Sequence, residues 1–206
     1  MWFILKSSTG EVLYQQFGSS EDIPLASDYD GDGKDDLAVY RPSSGTWHIL
    51  QSRDGFHSIQ FGVSTDVPLV GDFDGDGKTD IALFRPSNGT WYILPSAGGF
   101  SSVTFGTSGD IPVTGDFDGD GKTDFVVFRP SDGTWYVLGT TRGFSAFQFG
   151  AGTDRPVAGD YDGDGMTDYA VVRPSTGVWY FLESENGYQF RAYQGPVLAN
   201  ETRVLS

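Results

Sequence analysis

Asp72-Phe73-Asp74-Gly75-Asp76-Gly77-Lys78-Thr79-Asp80 places four carboxylates at positions 1, 3, 5 and 9 of one short stretch, with glycines between them. Alternate side chains on a tightly curled backbone converge, and converging carboxylates are the donor set of a hard divalent cation. Calcium takes six to eight oxygens at roughly 2.3–2.6 Å, and such a loop can supply most of them. Asp72, Asp74, Asp76 and Asp80 are the expected side-chain ligands. Lys78, at position 7, is expected to ligate through its backbone carbonyl and not through its ammonium group. Gly77 permits the sharp turn. An EF-hand needs a bidentate Glu at position 12, where this chain has Leu83, so the loop is of another kind.

The pattern recurs at Asp28, Asp30, Asp32, Lys34 and Asp36, at Asp116, Asp118, Asp120, Lys122 and Asp124, and at Asp160, Asp162, Asp164, Met166 and Asp168, each start 44 residues after the last. For an isolated copy the alternative reading is a solvated acidic turn. Four copies at one period point to about four calcium ions. Met166 occupies position 7 without a polar side chain, which agrees with a backbone ligand there.

The net charge of −15 argues against nucleic acid and against anionic membranes, both of which require clustered Lys and Arg. Much of that charge lies in the loops, where unneutralised carboxylates repel one another. Calcium is therefore expected to act as a folding cofactor, and four ions would roughly halve the net charge. The chain has no cysteine, so calcium would take the place of disulfides in an extracellular setting. No signal peptide is visible and no apolar run is long enough to cross a membrane. Because the sequence starts inside a repeat, the expectation is of a processed, cloned or permuted piece.

The repeat also predicts the elements that must position the loops. In 63–106, Pro68-Leu69-Val70-Gly71 reads as a strand entering the loop and Ile81 to Arg85 as a strand leaving it. Pro86-Ser87-Asn88-Gly89 has the chemistry of a hairpin turn. Thr90 to Leu94 is a third strand, and the more polar Phe100 to Phe105 a fourth. Inner strands buried on both faces read as apolar runs and a part-solvated outer strand does not. The predicted fold is all-β, a single β-propeller domain over 1–206. Its parts are a half-blade at 1–18, full repeats at 19–62, 63–106, 107–150 and 151–195, and a closing half-blade at 196–206 that lacks the calcium loop. That makes twenty strands in five blades, the last closed by both ends of the chain; an open fragment of a larger ring is the alternative. Residues 67–110 and 111–154 agree at 26 of 44 positions, which indicates recent duplication or design and leaves few positions for a unique site.

Phe61-Gly62, Val67-Pro68-Leu69-Val70-Gly71-Asp72 with the loop to Asp80, and Pro156-Val157-Ala158-Gly159-Asp160 resemble the FG-GAP/VCBS repeats, also found in integrin α-subunits. The resemblance implies a propeller with calcium between the first two strands of each blade, in extracellular or cell-surface proteins that serve adhesion, carbohydrate binding or accessory roles beside enzymes. Two functional readings stay open. One is a binding or adhesion module, with lectin-like recognition of glycans or of a cell-surface protein. The other is a structural spacer, an accessory domain of a larger secreted protein, or a designed symmetric scaffold. Arg41, Arg85, Arg129 and Arg173, each six residues before a Trp, are the candidate ligand-binding residues, since guanidinium and indole suit sugars and carboxylates. Pairing of each Arg with a neighbouring carboxylate is the simpler account. Asp22, Asp66, Asp110 and Asp154, two residues before a proline, are expected to satisfy turn amides. No nucleophile elbow, phosphate loop or Cys/His cluster is present, so no enzymatic activity is expected.

Overall fold

The structure is a computed structural model that describes residues 1–184 and 188–194. The repeats form four-stranded antiparallel sheets, each a meander in sequence order. The first sheet has β3 (Ile23–Pro24), β4 (Leu37–Arg41), β5 (Thr46–Gln51) and β6 (Gly55–Gln60). The second has β7 (Val67–Gly71), β8 (Asp80–Arg85), β9 (Thr90–Leu94) and β10 (Ser101–Thr104). The third has β11 (Ile111–Gly115), β12 (Asp124–Arg129), β13 (Thr134–Gly139) and β14 (Gly143–Gln148). The fourth has β15 (Arg155–Pro156), β16 (Tyr169–Arg173), β17 (Val178–Glu183) and β18 (Gln189–Gln194). Ahead of them β1 (Trp2–Leu5) and β2 (Val12–Gln15) pair as a two-stranded sheet. The expected closing strands in 196–206 lie outside the described residues.

The chain forms two compact units, Met1–Pro86 with Thr90–Val103, and Ser87–Gly89 with the chain from Thr104 onward. The first is built on Tyr29, Tyr40, Trp47, Ile49, Ile81 and Leu83. The second is built on Phe117, Val126, Phe128, Trp135, Tyr169 and Val171. The burial gradient along a blade follows composition: β8 and β12 are almost wholly buried, whereas β6 and β18 are almost wholly exposed. Trp47, Trp91 and Trp135 on the third strands are fully buried. The indole N–H of Trp47 donates to the carbonyl of Phe61 at 3.1 Å, and that of Trp135 to Phe149 at 2.8 Å. Trp2 makes the same bond to Phe17 at 3.0 Å, which identifies β1 and β2 as a third and fourth strand.

The entering strand differs between repeats. It runs five residues in β7 and β11 but two in β3 and β15, with only an isolated bridge at Ser27–Asp36 and at Gly159–Asp168 beyond them. The residue two before each loop is Val70 or Thr114 in the long strands and Ala26 or Ala158 in the short ones. A β-branched side chain favours the pleated ladder and Ala does not, so the ladder stops where Ala begins.

The hairpin turn between the second and third strands is crossed closely by the exit of the fourth. Gly133 has φ +69°, its carbonyl accepts from Phe149 N–H at 3.0 Å, and a Cβ there would lie 2.5 Å from the carbonyl oxygen of Gly150. Gly98 has φ +93° but open space around it. Left-handed backbone costs an L-residue about 1–2 kcal/mol, and only at Gly133 is a backbone displacement added. Gly133→Ala is therefore expected to lower the melting temperature by at least about twice as much as Gly98→Ala, read by thermal denaturation.

Candidate metal centre

Each loop hangs between the first two strands of a blade, and its ninth residue already belongs to or abuts the second strand. In the second repeat Gly75 and Gly77 both take φ +82°, which curls the backbone back over Asp72. Asp72 then accepts from the N–H groups of Gly75 at 2.6 Å, Asp76 at 3.1 Å and Gly77 at 2.8 Å. A non-Gly residue at those φ values would be strained, which is why the loop needs D-x-D-G-D-G. Asp116 holds its loop the same way through Gly119, Asp120 and Gly121, and Asp28 through Gly31, Asp32 and Gly33.

The ninth position is a buried anion. Asp36, Asp80, Asp124 and Asp168 are at most 1% exposed. Asp80 accepts from the N–H of Phe73 at 2.8 Å with one oxygen and from that of Ser96 at 2.7 Å with the other. Asp124 does so with Phe117 and Thr140, Asp36 with Tyr29 and Ser52, and Asp168 with Tyr161 and Ser184. Burial pushes three of them up: Asp36 and Asp80 rise, and Asp124 rises to about 6. Two amides do not fully replace water around a carboxylate, so each loop carries uncompensated negative charge.

The fifth position faces the turn after the third strand. Asp76 accepts from the Ser96 hydroxyl at 2.7 Å, Asp32 from Ser52 at 2.7 Å, Asp164 from Ser184 at 2.9 Å, and Asp120 from Thr140 and Thr141. The same Ser or Thr thus bonds position 5 with its hydroxyl and position 9 with its amide. These bonds lower the acids of Asp76 and Asp120, and Asp32 is lowered first by Lys34, whose ammonium lies at 2.8 Å. Ser52, Ser96, Thr140 and Ser184 were not among the expected functional residues. Their signal is a hydroxyl residue at a constant 20 positions after the fifth-position Asp.

Consecutive loops are stitched within each unit. The Thr79 N–H donates to the Asp28 carbonyl at 2.8 Å, the Ser27 and Thr79 hydroxyls lie 2.7 Å apart, and the Lys78 stem covers Gly31. In the second unit Thr167 N–H donates to the Asp116 carbonyl at 2.6 Å and Met166 covers Gly119. In the second and fourth loops position 7 therefore lays its aliphatic stem against the preceding loop, which Lys and Met both supply.

Carboxylate oxygens of Asp72, Asp74 and Asp80 lie within 4.8 Å of one another, as do those of Asp116, Asp118 and Asp124, and of Asp160, Asp162 and Asp168. In the first loop the corresponding group is Asp28, Asp30 and Asp32. In the third loop Oδ1 of Asp118 is buried with no hydrogen-bond partner, although Oδ2 accepts from Thr141 and Arg142. An anionic oxygen left bare inside an all-oxygen donor cluster fits a hard cation.

The four candidate arginines are held by carboxylates. Arg41 grips Asp22 through Nε at 2.8 Å and Nη2 at 2.9 Å, Arg85 grips Asp66 at 2.7 and 2.8 Å, Arg129 grips Asp110 at 2.8 Å twice, and Arg173 grips Asp154 at 2.8 and 2.9 Å. The same Asp residues accept the amides of Ser19, Val63, Thr107 and Ala151. Arg85, Arg129 and Arg173 also stand over Tyr92, Tyr136 and Tyr180 at 4.5, 4.1 and 4.6 Å.

A family model described as an FG-GAP-like repeat matches residues 72–127 and 116–171, and one described as an FG-GAP repeat matches residues 23–56. No curated protein matches the chain. Among solved structures, virginiamycin B lyase from Staphylococcus aureus aligns at TM-score 0.59 and 11% identity, covering 95% of this chain and 63% of its own. A lectin of Agrocybe aegerita, solved for its recognition of non-reducing terminal N-acetylglucosamine, aligns at 0.58 and 17%, covering 83% of this chain and 51% of its own. A protein of unknown function from Bacteroides caccae aligns at 0.58 and 12%, covering 93% and 68%. The chain thus spans less than two thirds of the lyase, and these likenesses establish the fold, a β-propeller of four-stranded blades.

Two outcomes follow from the geometry. Asp80→Asn turns one acceptor oxygen into a donor facing an N–H, so it is expected to cost about 2 kcal/mol even after chelation, by denaturant unfolding. Arg41 holds the Asp22 carboxyl down to about 2 from 3.8, chiefly by its hydrogen bond. A depressed acid stabilises the fold above its unfolded value and loses that contribution as pH falls through its folded value. The melting difference between the protein and Arg41→Ala is expected to be constant above about pH 5 and to shrink between pH 4 and 2.

Proposed function

Because this chain belongs to the FG-GAP repeat family, we propose that it is a calcium-binding, extracellular β-propeller that serves as a binding or adhesion module, with glycans as its ligand class. The observation that supports the metal is the repeated cluster of three carboxylates per loop, with the bare Asp118 oxygen in the third. Asp72, Asp74, Asp76 and Asp80, and their counterparts in the other loops, would hold the ion: in the second, third and fourth loops positions 1, 3 and 9 already lie together and position 5 would join them, and in the first loop Asp28, Asp30 and Asp32 lie together and Asp36 would join them. Calcium would supply positive charge where buried carboxylates now face one another, and it would leave the loop ends fixed against the blade. The chain's own residues do the rest: Ser52, Ser96, Thr140 and Ser184 orient the acids, and Thr79 and Thr167 pass the order of one loop to the next.

A glycan ligand is supported by the propeller fold shared with the Agrocybe aegerita lectin, a likeness of fold alone. The spacer reading has its own support. Each candidate arginine spends two of its nitrogens on a carboxylate whose side chain is no more than 1% exposed, and in Arg85 and Arg173 Nη1 also donates to a tyrosine hydroxyl. A glycan array probed in millimolar calcium separates the two: reproducible binding supports the module, and a blank array at high protein concentration supports the spacer.

Calorimetric titration tests the ligand assignment. Affinity is expected in the range of about 10⁻⁴–10⁻³ M, as for extracellular calcium modules. Asp120→Ala is expected to weaken or remove one of about four sites, because it strips the loop of a carboxylate held by two hydroxyls. Lys122→Met should leave the stoichiometry unchanged, since the fourth loop already carries Met166 at that position. Loss of a site in Lys122→Met, or four unaltered sites in Asp120→Ala, would overturn it.

A further inference from the structure

Each compact unit contains one seam between two whole blades, and the two units fill that seam differently. In the second unit the ring of Tyr169 lies among those of Phe117, Trp135 and Phe147, at 4.8, 5.3 and 4.4 Å between centroids. The residues two repeats earlier, in the first unit, are Ile81 for Tyr169, Ile59 for Phe147 and Tyr29 for Phe117. Strand register bears out the equivalence. Ile81 pairs with Leu94 as Tyr169 pairs with Leu182, and Ile59 pairs with Trp47 as Phe147 pairs with Trp135. Two isoleucines thus stand where two rings meet edge to face. An isoleucine ends at Cδ1, level with the near edge of a ring, so the far half of each ring has no counterpart in the first unit.

The difference is visible as a half-open cavity of about 220 Å³ between the first and second blades. Its deepest lining residues, Tyr29, Ile49 and Ile81, are at most 5% exposed, and its sides are Ile59, Leu94 and Pro95. Ile59 is left 37% exposed, whereas Phe147 in its place is half-buried. The remaining lining is polar: Gln51, His57, Thr79 and Ser96. The Thr79 hydroxyl pairs with Ser27 and that of Ser96 with Asp76, which leaves the Gln51 amide and the exposed His57 ring at the mouth. In the second unit those two positions are Gly139 and Ser145, so the longer polar groups stand only where the rings are missing. An apolar pocket with a few convergent polar groups is the usual form of a small-ligand site, and a cavity of about 150 Å³ already admits one benzene ring.

We infer that this cavity binds one small uncharged aromatic ring, the group that the second unit supplies to the same seam from its own chain. Tyr29 offers the ring the aromatic contact that Phe117 offers Tyr169, and such pairs favour an aromatic over a saturated ring. A polar substituent directed to the mouth bonds the Gln51 carboxamide, which both donates and accepts, or the His57 imidazole. No lining residue carries a formal charge at neutral pH, so an ion would lose its water with nothing opposite to replace it. None of the expected calcium ligands lines the cavity, and the site goes beyond the calcium and glycan reading, so its failure is distinguishable from theirs. Two sources carry the same chemistry, a free small aromatic molecule and an aromatic side chain of a peptide.

Titration of the calcium-loaded protein with benzyl alcohol, N-acetyl-phenylalaninamide and cyclohexylmethanol, followed by calorimetry and by the His57 ring resonances, tests the inference. One benzyl alcohol site is expected, with a dissociation constant of about 1 mM or below and with cyclohexylmethanol bound at least about ten-fold more weakly. The His57 resonances should move with saturation. Comparable affinity for N-acetyl-phenylalaninamide identifies the peptide source, and binding of benzyl alcohol alone identifies the small molecule; either supports the site. Ile59→Phe and Ile81→Tyr each place in the seam a ring that the second unit already holds there, so each is expected to weaken benzyl alcohol at least about ten-fold. If one of them fails to fold, the other decides. No saturable binding to the unaltered protein by about 10 mM, unmoved His57 resonances, undiminished binding by a folded variant, or cyclohexylmethanol bound as well as benzyl alcohol would each overturn it.

Discussion

A carboxylate with almost no contact with water sits at the ninth position of every loop, and the blade is arranged around the need to satisfy it. Asp36, Asp80, Asp124 and Asp168 each take one amide from their own loop and one from the turn after the third strand. That double bond fixes the loop over the sheet, and it brings the acids at positions 1 and 3 of three loops to within reach of the ninth. The cost is electrostatic: burial first, with the neighbouring acids Asp118 and Asp116, pushes Asp124 up to about 6 against the two amides that hold it down. A fold that gathers such groups needs an opposing charge, and the backbone offers only partial ones.

The loops were legible in the sequence because their residues are local. Nine consecutive positions contain the ligands and the two glycines that curl them, and recurrence every 44 residues removes the ambiguity of a single acidic turn. Strand order and the outward loss of hydrophobicity were legible for the same reason, since runs such as Ile81-Ala82-Leu83-Phe84 and turns such as Pro86-Ser87-Asn88-Gly89 announce themselves. Partners separated by other strands were not. Ser96 bonds Asp76 and Asp80 from the far side of a hairpin, and only its fixed offset of 20 residues betrays it. Asp66 lies 19 residues before Arg85, and neither residue points to the other until the first and second strands pair.

The repeats are alike in what they must do and differ where packing alone decides. Ala26 and Ala158 shorten the entering strand that Val70 and Thr114 extend, because the ladder there rests on β propensity with little burial to override it. Lys78 and Met166 are chemically unlike but cover the preceding loop's glycine equally, since only their stems are used. His48 is a difference of another kind: it stands where the other blades place a tyrosine under the arginine, and its buried Nε2 has no partner.

The account stands or falls on whether a cation is part of the fold. Thermal unfolding, followed by circular dichroism in calcium, after exhaustive chelation, and after calcium is restored, measures this directly. The account predicts a β-rich protein whose melting temperature falls by more than about 10 °C on chelation and returns with millimolar calcium, as expected when a ligand bound only by the folded state is withdrawn. An unchanged melting temperature, in protein from which elemental analysis has confirmed the loss of calcium, would contradict it.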